Sequence, residues 1–271
     1  MEAKSVNFKQ AKGIKSAFLV IVCCFIIALC LFIFVFGDPA NFMNNDPNNH
    51  PLPGNFKGTI YKGGFIVPVL QTLFLTVIVL SIERAFALVQ AKGKGNVVKF
   101  VKNVKAALDA NDTQKARELC VKQKGCVASV IYSTLGKYEE MEKDTTLAKD
   151  QKLMNIQKEL DEATALEMPS LQQNLVVIAT MTTLGTLVGL LGTVIGMIRA
   201  FAALSNAGAP DSVALSAGIS EALNNTAFGI ATGAMAVISY IFFSSKIDKL
   251  TYSIDEVGFT IVQTYAATHK A

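Results

Sequence analysis

Four stretches of this sequence are apolar for about twenty residues each, and nothing else in it constrains the fold so strongly. A bilayer core of about 30 Å is crossed by roughly 20 apolar residues in a helix. Ser16 to Phe36, Gly64 to Ile82, Leu175 to Ile198 and Ala222 to Phe243 all meet that test, and none contains a charged residue inside it. Backbone polar groups in hydrocarbon must be satisfied within the spanning segment, so helices are expected. Composition agrees, with 51% hydrophobic and 17% charged residues, against about 25% charged in an ordinary soluble domain. The expected class is all-α: four transmembrane helices, a cytoplasmic helical domain, and long helices extending from the membrane. The first span is too long for a signal h-region, and Phe34-Val35-Phe36-Gly37 is no small-x-small cleavage site.

Lysine and arginine in the flanks set the orientation. Lys4, Lys9, Lys12 and Lys15 precede the first span, and Lys246, Lys249 and Lys270 follow the last. The 37–63 loop carries only Lys57 and Lys62, and the connection between the last two spans little beyond Arg199. Both termini are therefore expected in the cytoplasm. The chain divides into an N-terminal segment, first span and outer loop (1–63), a second span (64–82), a cytoplasmic helical domain (83–173), paired spans with a short outer connection (174–243), and a C-terminal helix (244–271).

Residues 83–173 read as helical throughout. Val97, Val98, Phe100, Val101, Val104 and Leu108 recur at helical spacing. Asn111-Asp112-Thr113 reads as a helix start. Further helices are expected over Val127–Tyr138 and Leu147–Glu167. Pro169 is expected to kink one long helix that continues into the third span.

No enzyme constellation is present. The only histidines are His50 and His269, and neither a GxxxxGK[ST] loop nor a GxSxG elbow occurs. The five cysteines, Cys23, Cys24, Cys30, Cys120 and Cys126, form no CxxC pair, so neither a zinc site nor a disulfide framework is expected. Cys120 and Cys126 read as buried small hydrophobes. A dispersed net charge of +4 does not suit nucleic acid. The lysine-rich faces suit solvation and anionic lipid. No cofactor or metal is expected.

The third span carries Gly185, Gly189, Gly192 and Gly196 on one helix face. So bare a face lets a neighbouring helix approach closely. Beside it runs a stripe of Thr182, Thr186 and Thr193. Threonines often bond their own helix carbonyls, but three on one face also suit a polar lining. In the fourth span Thr226, Gly229, Gly233 and Ala236 share a face, with Asn224 and Asn225 at the start. Glu221 falls near the outer boundary, either as a solvated interface carboxylate or as a cavity carboxylate. No Asp, Glu, Lys, Arg or His lies mid-span, whereas a proton path normally needs a titratable group at that depth. If protons pass, the carboxylate comes from another polypeptide.

At these two spans the chain resembles the ExbB/TolQ/MotA family, and ExbB most closely. The carrying residues are Gly189-Leu190-Leu191-Gly192-Thr193-Val194-Ile195-Gly196-Met197-Ile198 with Phe201, then Gly218-Ile219-Ser220-Glu221-Ala222-Leu223, Thr226-Ala227 and Gly229. A weaker likeness reaches Ile82-Glu83-Arg84, Asn111-Asp112 and Lys115-Ala116. The resemblance implies a ring, a homopentamer around a single-span ExbD-like partner that supplies a membrane-embedded aspartate. Protonmotive force would then drive work on a TonB-like protein that energises outer-membrane import. Thr193 and Thr226 match pore-facing threonines of the family, and Glu221 a glutamate near the periplasmic end of the lumen. The Gly185-to-Gly196 face would pack helices within and between subunits.

Two departures stand out. Thr186 and Met235 replace frequent prolines, which should straighten the spans. The Ser16–Phe36 span is extra relative to ExbB and TolQ, and is expected on the lipid side of the ring. A TolQ-like or MotA-like motor, a secondary transporter and a membrane scaffold are the alternatives.

Overall fold

The computed structural model describes residues 13, 16–47, 49–205 and 212–269. Lys4, Lys9, Lys12, Lys15, Pro210, Asp211 and Lys270 lie outside them. The Ser16 hydroxyl accepts from the Leu19 N–H at 3.4 Å and starts the first helix, α1 (Ala17–Cys30). It winds on as a π-helical turn over Leu31–Phe36. The Asn41 amide donates to the carbonyls of Val35 and Phe36 at 2.9 and 3.3 Å, serving groups that such a terminus leaves free. In the loop that follows, Asn55 caps the short α2 (Phe56–Tyr61), and Tyr61 stacks on Phe32 at 4.7 Å.

The remaining helices are α3 (Ile66–Lys92), α4 (Val97–Asp109), α5 (Thr113–Gln123), α6 (Gly125–Lys143), α7 (Lys149–Gln172), α8 (Leu175–Ser205) and α9 (Ser212–Thr268). No strand occurs among the described residues, and four helical segments are long and apolar enough to cross a membrane. The fold is all-α, as the spans require.

Several boundaries differ from the sequence expectation. The α3 helix runs past Ile82 to Lys92, and α8 runs past Ile198 to Ser205. The expected fourth span and C-terminal helix are one continuous helix, α9, and Ser212 is already helical. Nothing between Phe243 and Thr268 breaks a helix, so the fall in hydropathy there marks a change of surroundings, not of backbone. Pro169 sits inside α7, and the helix ends instead at Gln172. Asn174 takes φ 60, the left-handed conformation that asparagine tolerates.

The chain packs as two units. Of the described residues, one combines those of 16–82 with those of 174–241, and the other Gly13 with 83–173 and those of 242–269. In the first, Val20 and Cys24 of α1 join Val77 and Leu80 of α3, Ile178 and Met181 of α8, and Ala236 of α9 in one buried cluster. Ala28 of α1 is also buried, whereas Phe18, Ile26 and Ile27 of α1 and Phe34 of the π-helical turn are all more than half exposed. In the second unit α9 presents Ile247, Leu250, Ile254, Val257, Ile261 and Tyr265, all buried. Their spacing of three and four residues is that of a single helix face. Leu160 packs against Gly258, and the Tyr265 hydroxyl donates to the Met141 carbonyl at 3.0 Å. Asp112 accepts from the Lys115 N–H at 2.9 Å and caps α5.

Candidate functional site

The site is built where α8 lies against α9. Each glycine on the α8 face meets a defined position of α9. Gly185 lies against Thr232, Gly189 against Gly229, Gly192 against Asn225, and Gly196 against Ala222. These pairs step evenly in opposite directions along the two helices, so the helices run antiparallel in fixed register. The two backbones approach most closely at Gly229, where a methyl group would lie 2.7 Å from the Gly189 Cα and 2.6 Å from the Gly185 carbonyl oxygen. Ordinary van der Waals separations are about 3.5–4.0 Å. On the same side Gly233 faces the Thr182 carbonyl and the Thr186 hydroxyl, each 3.0 Å from where its Cβ would be.

This close seam lets two short side chains meet across it. The hydroxyls of Thr193 and Thr226 hydrogen-bond to each other. Thr193 also donates to its own helix at the Gly189 carbonyl, 3.2 Å away, and Thr226 reaches the same carbonyl at 3.4 Å. Two hydroxyls hold two protons and four lone pairs. With one proton between the oxygens and one directed at Gly189, three lone pairs are left to accept. By rotating, the same pair can donate to a carboxylate or accept from a protonated carboxyl. It does so without fixing a charge at membrane depth, which is costly.

Thr186 bonds the Thr182 carbonyl at 3.1 Å, and Thr232 bonds that of Phe228 at 2.8 Å. The threonine stripe therefore combines self-bonded hydroxyls with one cross-helix pair. Thr182 is half-buried and Thr186 exposed. Both helices run unbroken through Thr186 and Met235.

Glu221 is neither solvated nor free. Its side chain is nearly buried, and Arg199 Nη1 donates to Oε1 at 2.7 Å. The Arg199 guanidinium also lies over the Phe65 ring at 5.7 Å. One helical turn on, Asn224 donates to the Thr59 carbonyl at 3.2 Å and Asn225 to that of Gly63 at 3.1 Å. Residues 221, 224 and 225 share a helix face, and the two asparagines fasten this part of α9 to α2 and to the segment that joins α2 to α3. Glu221 stands five residues from Thr226, roughly 7.5 Å along the axis.

Sequence reasoning missed Arg199 as the partner of Glu221. The available signal was a lone cation, Arg199, and an acidic residue at opposite ends of one short connection. It also missed the fastening role of the two asparagines, whose adjacency at a span boundary was the clue.

In the second unit, burial pushes the thiols of Cys120 and Cys126 up to about 12, the state of inert thiols. Burial also raises the carboxyl of Glu167 above its ordinary range, against the hydrogen bond from Ser129. Among the described residues no group of three or more His, Cys, Asp or Glu side chains is placed to hold a metal ion.

Residues 127–256 match the MotA/TolQ/ExbB proton channel family. The chain carries a domain of that family. The family domain contains the whole glycine seam, the Thr193–Thr226 pair and the Arg199–Glu221 pair. Ile82-Glu83-Arg84, Asn111-Asp112 and Lys115-Ala116, where the sequence also bears a weaker resemblance, lie outside it. No curated protein matches the chain in sequence.

Proposed function

We propose that this chain is an ExbB-like subunit of a proton-conducting motor in the bacterial inner membrane, with both termini cytoplasmic. Five copies form a ring around a single-span partner that carries an aspartate at membrane depth. Protons driven past that aspartate do work on a TonB-like protein that energises outer-membrane import. One observation carries the reading: the Thr193–Thr226 hydroxyl pair sits between two apolar helices that hold no titratable group at mid-depth. A hydroxyl pair there serves a carboxylate brought by another chain and has no evident use in a scaffold. The Arg199–Glu221 pair near the outer end offers a charged entrance. Thr182 and Thr186 extend the polar path along α8. Gly185, Gly189, Gly192, Gly196, Gly229 and Gly233 hold α8 and α9 close enough for the hydroxyls to meet.

The energetics suit a motor. One elementary charge falling through 100 mV releases about 2.3 kcal/mol, so a few protons per step exceed thermal energy several-fold.

Thr193→Val with Thr226→Val removes both hydroxyls and keeps the shape. Proton flux through the purified complex in liposomes is expected to fall at least tenfold while the assembled mass is unchanged. Native flux in an intact double variant would remove the reading.

A further inference from the structure

Arg84 takes no part in the α8–α9 seam, yet its side chain is fully buried. Its Nε donates to Glu83 Oε2 at 2.7 Å and its Nη2 to Glu83 Oε1 at 2.5 Å. Nη1 donates to the carbonyls of Ser170 and Leu171, each at 3.3 Å. Those carbonyls belong to the last turn of α7, which ends at Gln172. The last four carbonyls of a helix have no partner within it, and a cation is favoured at that end. Arg84 is therefore a C-terminal cap delivered from 86 residues away in sequence.

Capping alone does not account for a buried ion pair. Removing two charges from water costs more than their attraction commonly returns. A glycine or asparagine in the left-handed conformation caps a helix with no such cost, and Asn174 already holds that conformation. What a guanidinium adds is direction, because its five N–H donors form a rigid planar fork. With one edge fixed by Glu83, the remaining donors accept the end of α7 in one position only.

Gly13 closes the arrangement. A side chain at Gly13 would collide with Arg84 Nη2 and come within 2.5 Å of Glu83 Oε1 and 2.8 Å of Gln173 Oε1. Gly13 therefore lies directly against the ion pair. Three distant segments meet here: Gly13, the Glu83–Arg84 turn of α3, and the last turn of α7 with Gln173.

We infer that Arg84 is a positioning residue, a latch that fixes the last turn of α7 and so the turn at Gln173–Asn174 from which α8 starts, with Gly13 as its lid. The latch stands on the geometry alone. Its consequence rests on the motor reading: α8 carries Thr193, so work generated at Thr193 needs a fixed point at the base of α8. An open latch leaves proton passage intact and uncouples it from output.

The test uses the whole assembled complex. Glu83→Gln with Arg84→Met removes both charges together, leaves no uncompensated ion, and abolishes the bonds to Ser170 and Leu171. Amide hydrogen exchange over residues 166–172 is expected to rise at least tenfold, with assembly retained. Arg84→Lys keeps the charge without the fork and should fall between. Gly13→Val keeps both charges, displaces the lid, and should raise the same exchange. If the double variant does not assemble, these two charge-retaining variants decide. Proton flux should stay within twofold of native, while energy-dependent output falls at least tenfold. Native exchange rates in these variants would overturn the latch. Raised exchange with native output would overturn the positioning role. Wild-type flux that is insensitive to Thr193→Val with Thr226→Val would instead count against the motor reading, and the exchange result would still stand on its own.

Discussion

Gly229→Ala adds one methyl group where the backbones of α8 and α9 approach most closely. That methyl would lie 2.7 Å from the Gly189 Cα and 2.6 Å from the Gly185 carbonyl oxygen. Carbon atoms rest at about 3.5–4.0 Å, so the helices must separate locally by about 1 Å. Overpacking of this kind costs about 1–3 kcal/mol. For a chain of this size that lowers the unfolding midpoint by roughly 3–10 °C. The same shift stretches the Thr193–Thr226 contact, and a hydroxyl–hydroxyl bond weakens as it lengthens past about 3.0 Å. Gly136, in the middle of α6, supplies the internal control, because a methyl group there meets nothing within 4 Å. Gly136→Ala should instead stabilise by about 0.5–1 kcal/mol through helix propensity. Thermal unfolding followed by circular dichroism in one detergent compares both variants with the parent. Opposite signs are expected. A Gly229→Ala protein as stable as the parent, with unchanged proton flux, would refute the close seam and the reason given for its glycines.

Other consequences can be checked separately. Glu167 has a raised pKa, so the native state binds its proton more tightly than the unfolded chain does. Its contribution to stability is fully present below the ordinary carboxylate range and is lost as pH rises through the raised value. Glu167→Gln should remove that loss, and the gain in unfolding midpoint over the parent should be larger at pH 7 than at pH 4. Arg199→Gln leaves a nearly buried Glu221 without its partner and should destabilise more than Arg199→Gln combined with Glu221→Gln. With Arg199 half-exposed, the coupling in a double-mutant cycle is expected at about 1 kcal/mol or less. Neither Cys120 nor Cys126 should react with a water-soluble maleimide at pH 7.5 until the protein is unfolded. Labelling of either in the native state, read by mass spectrometry of peptides, would contradict their burial.

The features legible in the sequence are those set by local chemistry. Four apolar runs of bilayer length could hardly be anything but spanning helices, and Asp112 ahead of Thr113 marked a helix start through its own side chain. The glycine face was legible because its 4-3-4 spacing is a property of one helix. Which residues that face meets depends on the register of α8 against α9, and the structure sets this at Gly189 and Gly229. The importance of Thr193 and Thr226 came from a family likeness; spacing alone left each threonine free to bond its own helix.

The break after Gln172 was not foreseen, because Pro169 reads as a kink in one helix continuing into the third span. A proline removes a single helical hydrogen bond, and α7 carries on past it. The true terminus is held by Arg84, a tertiary contact with no local signature. The unbroken length of α9 was hidden for the opposite reason. Its hydropathy falls after Phe243, although the backbone continues unchanged. The pairing of Arg199 with Glu221 depends on how two helices are joined across 22 residues, and their spacing in sequence does not encode it.

We propose that this chain lines a proton path whose carboxylate belongs to another protein. Gentle extraction from the membrane followed by native mass spectrometry of the intact complex tests it most directly. The expected result is a ring of five copies retaining a small single-span protein with an acidic residue in its span. A monomer or dimer carrying no partner would contradict it, and the Thr193–Thr226 pair would then be no more than a contact between packed helices.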